Sequence, residues 1–279
     1  MNRRTFSKLL LAAAPARLFA QASEAAGRKL DFRIGDDFKA SEADIKAVLR
    51  SAGESIWQHC PNTRWEVPGF FIFHNAEYPI TAFDHRADGR IAIGLTSQGN
   101  LWSQFAYQFS HEFCHALAGH SNDWKKTWTK GRKANHWLEE SLCETASLFA
   151  MRAMGESWKT KPPYPNWKSY SEALTKYAAD RMTKSAEGLP AGTQFITWFR
   201  ENEASMRQNS TLREKNNVVA LQLLPLFEAE PSGWEAITFF NLTKREPENT
   251  LAGQLSEWKT VAPLAQQPFI SKVAAVFAV

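Results

Sequence analysis

Residues 111–115 read His-Glu-Phe-Cys-His, two histidines four positions apart with a glutamate directly after the first. On an α-helix positions i and i+4 share a face, so both imidazoles can bind one Zn²⁺ through ring nitrogens. The glutamate beside the first histidine is then placed to take a proton from water activated at that ion. The neighbouring residues agree with this use. At about 100° per residue with His111 at zero, His115 falls near 40° and Glu112 near 100°. Trp102, Phe105, Ala106, Phe109, Phe113, Ala116 and Leu117 fall between roughly 120° and 240°. One side of the helix is apolar, and the other is left for chemistry.

A zinc site needs a third protein ligand. Gly119 and His120 do not keep the spacing of the metzincin pattern, and Asp123 is a ligand by residue type. Farther on, residues 135–144 read Asn-His-Trp-Leu-Glu-Glu-Ser-Leu-Cys-Glu. An HExxH motif followed by a helix that opens Trp-Leu-x-Glu resembles the gluzincin zinc peptidases, the group of thermolysin and related aminopeptidases. The resemblance spans residues 29–154. It implies zinc held by His111, His115 and Glu140, Glu112 as general base, and a peptide or protein substrate. It also implies a downstream Tyr or His that hydrogen-bonds the oxyanion, for which Tyr164, Tyr170, Tyr177 and His136 are the candidates. The Gly-x-Met-Glu-Asn segment that grips a free N-terminus in the aminopeptidases is absent, which disfavours that activity.

Glu139 and Glu140 are adjacent, and helical geometry separates them. With Glu140 at zero, Glu144 lies near 40° and Ser147 near 340°, opposite Leu138, Leu142 and Phe149. Glu144 is therefore the carboxylate expected to orient one histidine from behind, as thermolysin-like enzymes do at this spacing. Glu139 falls near 260°, beside Cys143 and Ala146, and is expected to take no part.

The elements that must position these residues follow from periodicity. Lys29–Ile34, Gly69–His74 and Arg90–Thr96 read as strands, Ser41–His59 and Asn100–Gly119 as helices, and Ile80–Asp88 as irregular. Gluzincins hold extended substrate along the strand before the active-site helix, which here is Arg90, Ile91, Ala92, Ile93, Gly94, Leu95 and Thr96. Beyond residue 135 the spacing is helical, with segments near 136–154, 169–185, 192–208, 212–230, 233–244 and 250–277. The expected fold is α+β, a zincin-like catalytic lobe over 23–160 with a small mixed sheet, then a helical lobe over 161–279.

Composition narrows the partners. The 19 Phe and 11 Trp exclude a disordered chain, and most Trp sit at core spacing. Residues 1–22 carry Arg3, Arg4, Lys8 and Arg17 with no acid, so the net charge of +4 belongs to them and the remainder is balanced. A balanced body does not favour nucleic acid as a partner. No apolar run is long enough to span a bilayer, so no integral membrane segment is expected in the mature chain. The stretch Asn2–Lys8 resembles a bacterial twin-arginine signal, and Ala20-Gln21-Ala22 offers a cleavage site. Lys125, Lys126, Lys130, Arg132 and Lys133 lie in the loop between the two metal-bearing helices. Cys60, Cys114 and Cys143 read as buried thiols.

These features together point to an exported zinc metallopeptidase, periplasmic or extracellular, with a silent zincin-like binding protein or a cell-wall amide hydrolase as alternatives. Export carries a direct check. N-terminal sequencing of the secreted form is expected to begin near Ser23, and replacing both Arg3 and Arg4 with Lys is expected to block secretion.

Overall fold

A computed structural model describes residues 29–62, 69–82, 86–119, 134–243 and 248–279. Residues 1–28, which include the expected export signal, and His85, His120, Asp123 and the basic residues of 120–133 lie outside the described residues. The architecture is α+β, with a small mixed sheet and many helices.

The first half runs β1 (Phe32–Ile34), α1 (Glu42–Trp57), β2 (Phe70–His74), β3 (Ile80–Ala82), β4 (Ile91–Leu95) and α2 (Trp102–Ala118). Ser41 caps α1 by accepting from Asp44 N at 3.4 Å. Gly53 lets α1 approach α2, because a Cβ there would lie 2.4 Å from Leu30 Cδ1 and 3.2 Å from Phe109 Cε1. β2 alternates, with Phe70 and Ile72 in the core while Phe71 and Phe73 stack on the other face at 6.2 Å. Phe109 and Phe113 of α2 then meet Phe70 edge-on, and this aromatic cluster fixes the helix on the sheet.

The strand order β1-β2-β4-β3 corrects two expectations. Ile80–Asp88 is not all irregular, since Ile80–Ala82 forms β3, antiparallel to β4. Arg90–Thr96 contains β4, but β4 lies between β2 and β3 and all five of its residues are buried. With both of its sides paired, β4 has no free edge for a substrate. The edge strand on this side of the sheet is β3, a three-residue element too short to show alternation in sequence.

The second half is helical: α3 (His136–Ser157), α4 (Tyr170–Ala186), α5 (Phe195–Gln208), α6 (Arg213–Ala229), α7 (Trp234–Ile237), α8 (Leu251–Val261) and α9 (Gln267–Val276). α3 is buried on nearly every side, packed by α1, α2, α4 and α6. The expected helix at 233–244 is instead two short pieces. Thr238 Oγ1 bonds back to Glu235 O and Thr243 Oγ1 to Phe240 O, side-chain contacts that compete with helix continuation. The expected helix at 250–277 divides at Pro263, which holds Ala262 extended. The 160/161 division falls between α3 and α4, yet buried side chains from both sides join one core. Among the described residues no helix is long and apolar enough to cross a membrane.

Burial lowers the His59 pKa from 6.5 to about 4, its ring lying edge-on to Phe149. Between those values the unfolded chain binds the proton and the folded chain does not. His59 therefore favours folding fully above pH 6.5, and that contribution is lost as pH falls towards 4. Urea midpoints are expected to show the parent losing up to about 3 kcal/mol over this window relative to a His59→Phe variant.

Candidate metal centre

α2 and α3 make the most extensive contact between elements among the described residues. Ser147 Oγ on α3 donates to Tyr107 O on α2 at 2.8 Å, which fixes how the helices lie against each other. The start of α3 is pinned separately. Asn135 is fully buried, accepts from Arg207 Nη1 at 2.7 Å and donates to Asn249 O at 3.1 Å.

Between these anchors the motif histidines meet the glutamates of α3. His111 Nε2 lies 3.4 Å from Glu140 Oε2, and His115 Nε2 lies 3.6 Å from Glu140 Oε1. One carboxylate thus spans both rings. On their far sides, His115 Nδ1 lies 3.0 Å from Glu139 Oε1 and His111 Nδ1 lies 3.6 Å from Glu144 Oε2. A carboxylate at Nδ1 holds the ring proton there and leaves Nε2 with its lone pair. The His115 contact is a hydrogen bond. The His111–Glu144 pair is longer, and both of its atoms are buried without a hydrogen-bond partner among the described residues.

Electrostatics follow this arrangement. Burial works to lower the His115 pKa, but Glu140 and Glu139 outweigh it and hold the ring well above the ordinary imidazole value. Burial works to raise Glu140, but His115 and His111 outweigh it and hold the carboxyl far below the usual range. Burial raises Glu144, with Arg213 and Arg181 opposing.

Glu112 faces the same space and is nearly buried. Thr81 Oγ1 of β3 lies 2.9 Å from Glu112 O and 2.8 Å from Glu112 Oε2, its single proton serving one at a time. The edge strand and the motif helix are joined by this hydroxyl. The cavity measures about 530 Å³ and is lined by His111, Glu112, His115, His136, Glu140 and Glu144. Tyr78, Pro79, Ile80 and Thr81 close one side, and Thr211, Arg213, Asn216 and Asn217 come from the start of α6.

The expected residues are therefore partly reunited. His111, Glu112, His115, Glu140 and Glu144 gather at the cavity. Of the four oxyanion candidates only His136 lines it, with Nδ1 3.1 Å from Ser210 Oγ. Tyr170 instead bonds Ser103 at the start of α2, Tyr177 stacks on Tyr107, and Tyr164 stacks on Trp167, so none of the three is placed for that role. Glu139 is a second correction. It was expected to stand aside, yet it is the carboxylate bonded to His115, because an imidazole ring is wide enough to touch Glu140 with one nitrogen and Glu139 with the other. Thr81 carried no signal in sequence.

The donor set suits a divalent ion that takes nitrogen and oxygen ligands: two imidazoles backed by carboxylates, with a third carboxylate between them. His111, His115 and Cys143 also bring one ligand atom each within 4.8 Å of one another. Burial, Cys114 and the nearby glutamates push the Cys143 thiol well up, and Cys143 does not line the cavity, so Glu140 is the better third donor. No family model, curated relative or solved structure matches the chain.

Zinc affinity, read by competition with a chromophoric chelator, separates these roles. Glu140→Ala is expected to abolish tight binding. Glu139→Gln and Glu144→Gln are each expected to weaken it about 10- to 100-fold. Loss of zinc in Cys143→Ser with retention in Glu140→Ala would move the third ligand to the thiol.

Proposed function

We propose that the chain is a zinc-dependent metallopeptidase that hydrolyses peptide bonds with Glu112 as general base. The observation that carries this reading is the convergence of His111 Nε2 and His115 Nε2 on Glu140, on the wall of a cavity that Glu112 also lines. His111, His115 and Glu140 would hold Zn²⁺, which when bound supplies a Lewis acid for the scissile carbonyl.

The chain's own residues do the rest. Thr81 holds Glu112 Oε2, so Oε1 is the oxygen that takes a proton from the attacking water and returns it to the leaving amine. His136, fixed by Ser210, is the oxyanion donor. An extended peptide lies along β3 rather than β4, pairing with the outer edge that reaches the cavity through Ile80 and Thr81.

Turnover of a mixed fluorogenic peptide panel tests this. Glu112→Gln is expected to lower kcat by about 10²- to 10⁴-fold with zinc content unchanged. Thr81→Val is expected to lower kcat about tenfold, also with zinc retained. A Glu112→Gln variant as active as the parent, or turnover indifferent to chelation of the metal, would overturn the reading.

A further inference from the structure

The start of α6 brings to the cavity chemistry that hydrolysis itself does not use. Arg213, the first residue of that helix, is exposed and lines the cavity. It is the only Lys or Arg among the described lining residues, where the other permanent charges are carboxylates. Even so, no ion pair within 4 Å occupies its guanidinium among the described residues. Arg213 acts on Glu144 through its charge, without a contact within 4 Å. With the Asn217 amide nitrogen turned towards them, Asn217 donates to Glu144 Oε1 and to Arg213 O, each at 3.1 Å. Arg213 is thus an exposed cation at the cavity that makes no ion pair within 4 Å among the described residues.

The α6 N-terminus adds partial positive charge, since its cap residue Leu212 offers no side-chain bond.

A guanidinium can grip a carboxylate through two parallel hydrogen bonds, and a peptide in this cavity brings carboxylates at its C-terminus and at Asp or Glu side chains. We infer that Arg213 forms a substrate subsite that selects peptides carrying a free carboxylate close to the scissile bond. The inference rests on the peptidase reading of the same cavity. The carboxylate can be a C-terminus or an Asp or Glu side chain.

Binding, measured by titration calorimetry, tests this apart from turnover. The zinc-loaded Glu112→Gln protein is titrated with three peptides of one sequence: one with a free C-terminus, one amidated, and one amidated with an internal Asp. At least one carboxylate peptide is expected to bind about tenfold more tightly than the neutral one, and which one does so identifies the source. Adding Arg213→Met is expected to erase the difference, and Arg213→Lys to restore part of it. Equal affinities for all three peptides, or a preference that survives Arg213→Met, would overturn the subsite. Carboxylate-dependent binding with no turnover by the wild-type chain would instead sink the peptidase reading and leave the subsite standing.

Discussion

Five ionisable side chains are gathered where α2 crosses α3, and three of them, His115, Glu139 and Glu144, are almost wholly removed from water. Isolated burial of a carboxylate costs several kcal/mol, so such groups persist only when matched. Here each imidazole sits between two carboxylates, and each ring nitrogen faces one oxygen. The match is incomplete. Three carboxylates face His111 and His115, His136 Nε2 lies a further 3.5 Å from Glu140 Oε1, and the His111–Glu144 contact stops short of a hydrogen bond. On the proposed reading His111, His115 and Glu140 would hold a divalent cation there, and Glu144 lies on the side of His111 from which that ring would be oriented.

The rest of the fold follows from holding that cluster still. α3 is buried nearly all round because it carries three of the five groups and must be packed from every direction. α1 and the sheet press α2 from one side, through Gly53 and the Phe70–Phe109–Phe113 cluster. Gln108 ties α2 to the end of β4, with its amide paired to Thr96 N at 2.9 Å and Thr96 Oγ1 at 2.7 Å. Thr81 ties β3 to Glu112. Each tie crosses between elements at a polar side chain beside the cavity, so the sheet positions Glu112 while α3 positions Glu139, Glu140 and Glu144.

Legibility in the sequence tracked the range of the signal. α2 was readable because seventeen residues give several turns, enough for an apolar stripe and a histidine face to separate. β3 was not, since three residues carry no period and its antiparallel pairing depends on β4 alone. Glu140 and Glu144 were readable as one face of α3. Glu139 was not, because a helical wheel treats its partner as a point, and His115 is a ring that reaches two directions at once. Tyr164, Tyr170 and Tyr177 fell away for the converse reason. Residue type nominated them, and only packing could place them against Trp167, Ser103 and Tyr107.

The contacts made by the C-terminal helices bear on what the two lobes are for. Arg207 of α5 holds Asn135 at the head of α3, Ser210 holds His136, and Asn217 of α6, with its amide nitrogen turned towards Glu144, holds that carboxylate. Three of the side chains that set the ligand helix are therefore clamped from beyond residue 200. A chain ending near 160 would keep His111, Glu112, His115, Glu139, Glu140 and Glu144 and lose the contacts that aim them. Thr211, Arg213, Asn216 and Asn217 line the cavity as well, so the helical half belongs to it as much as the motif does. Neither helical periodicity nor the HExxH motif announces this, because these clamps join residues more than seventy positions apart.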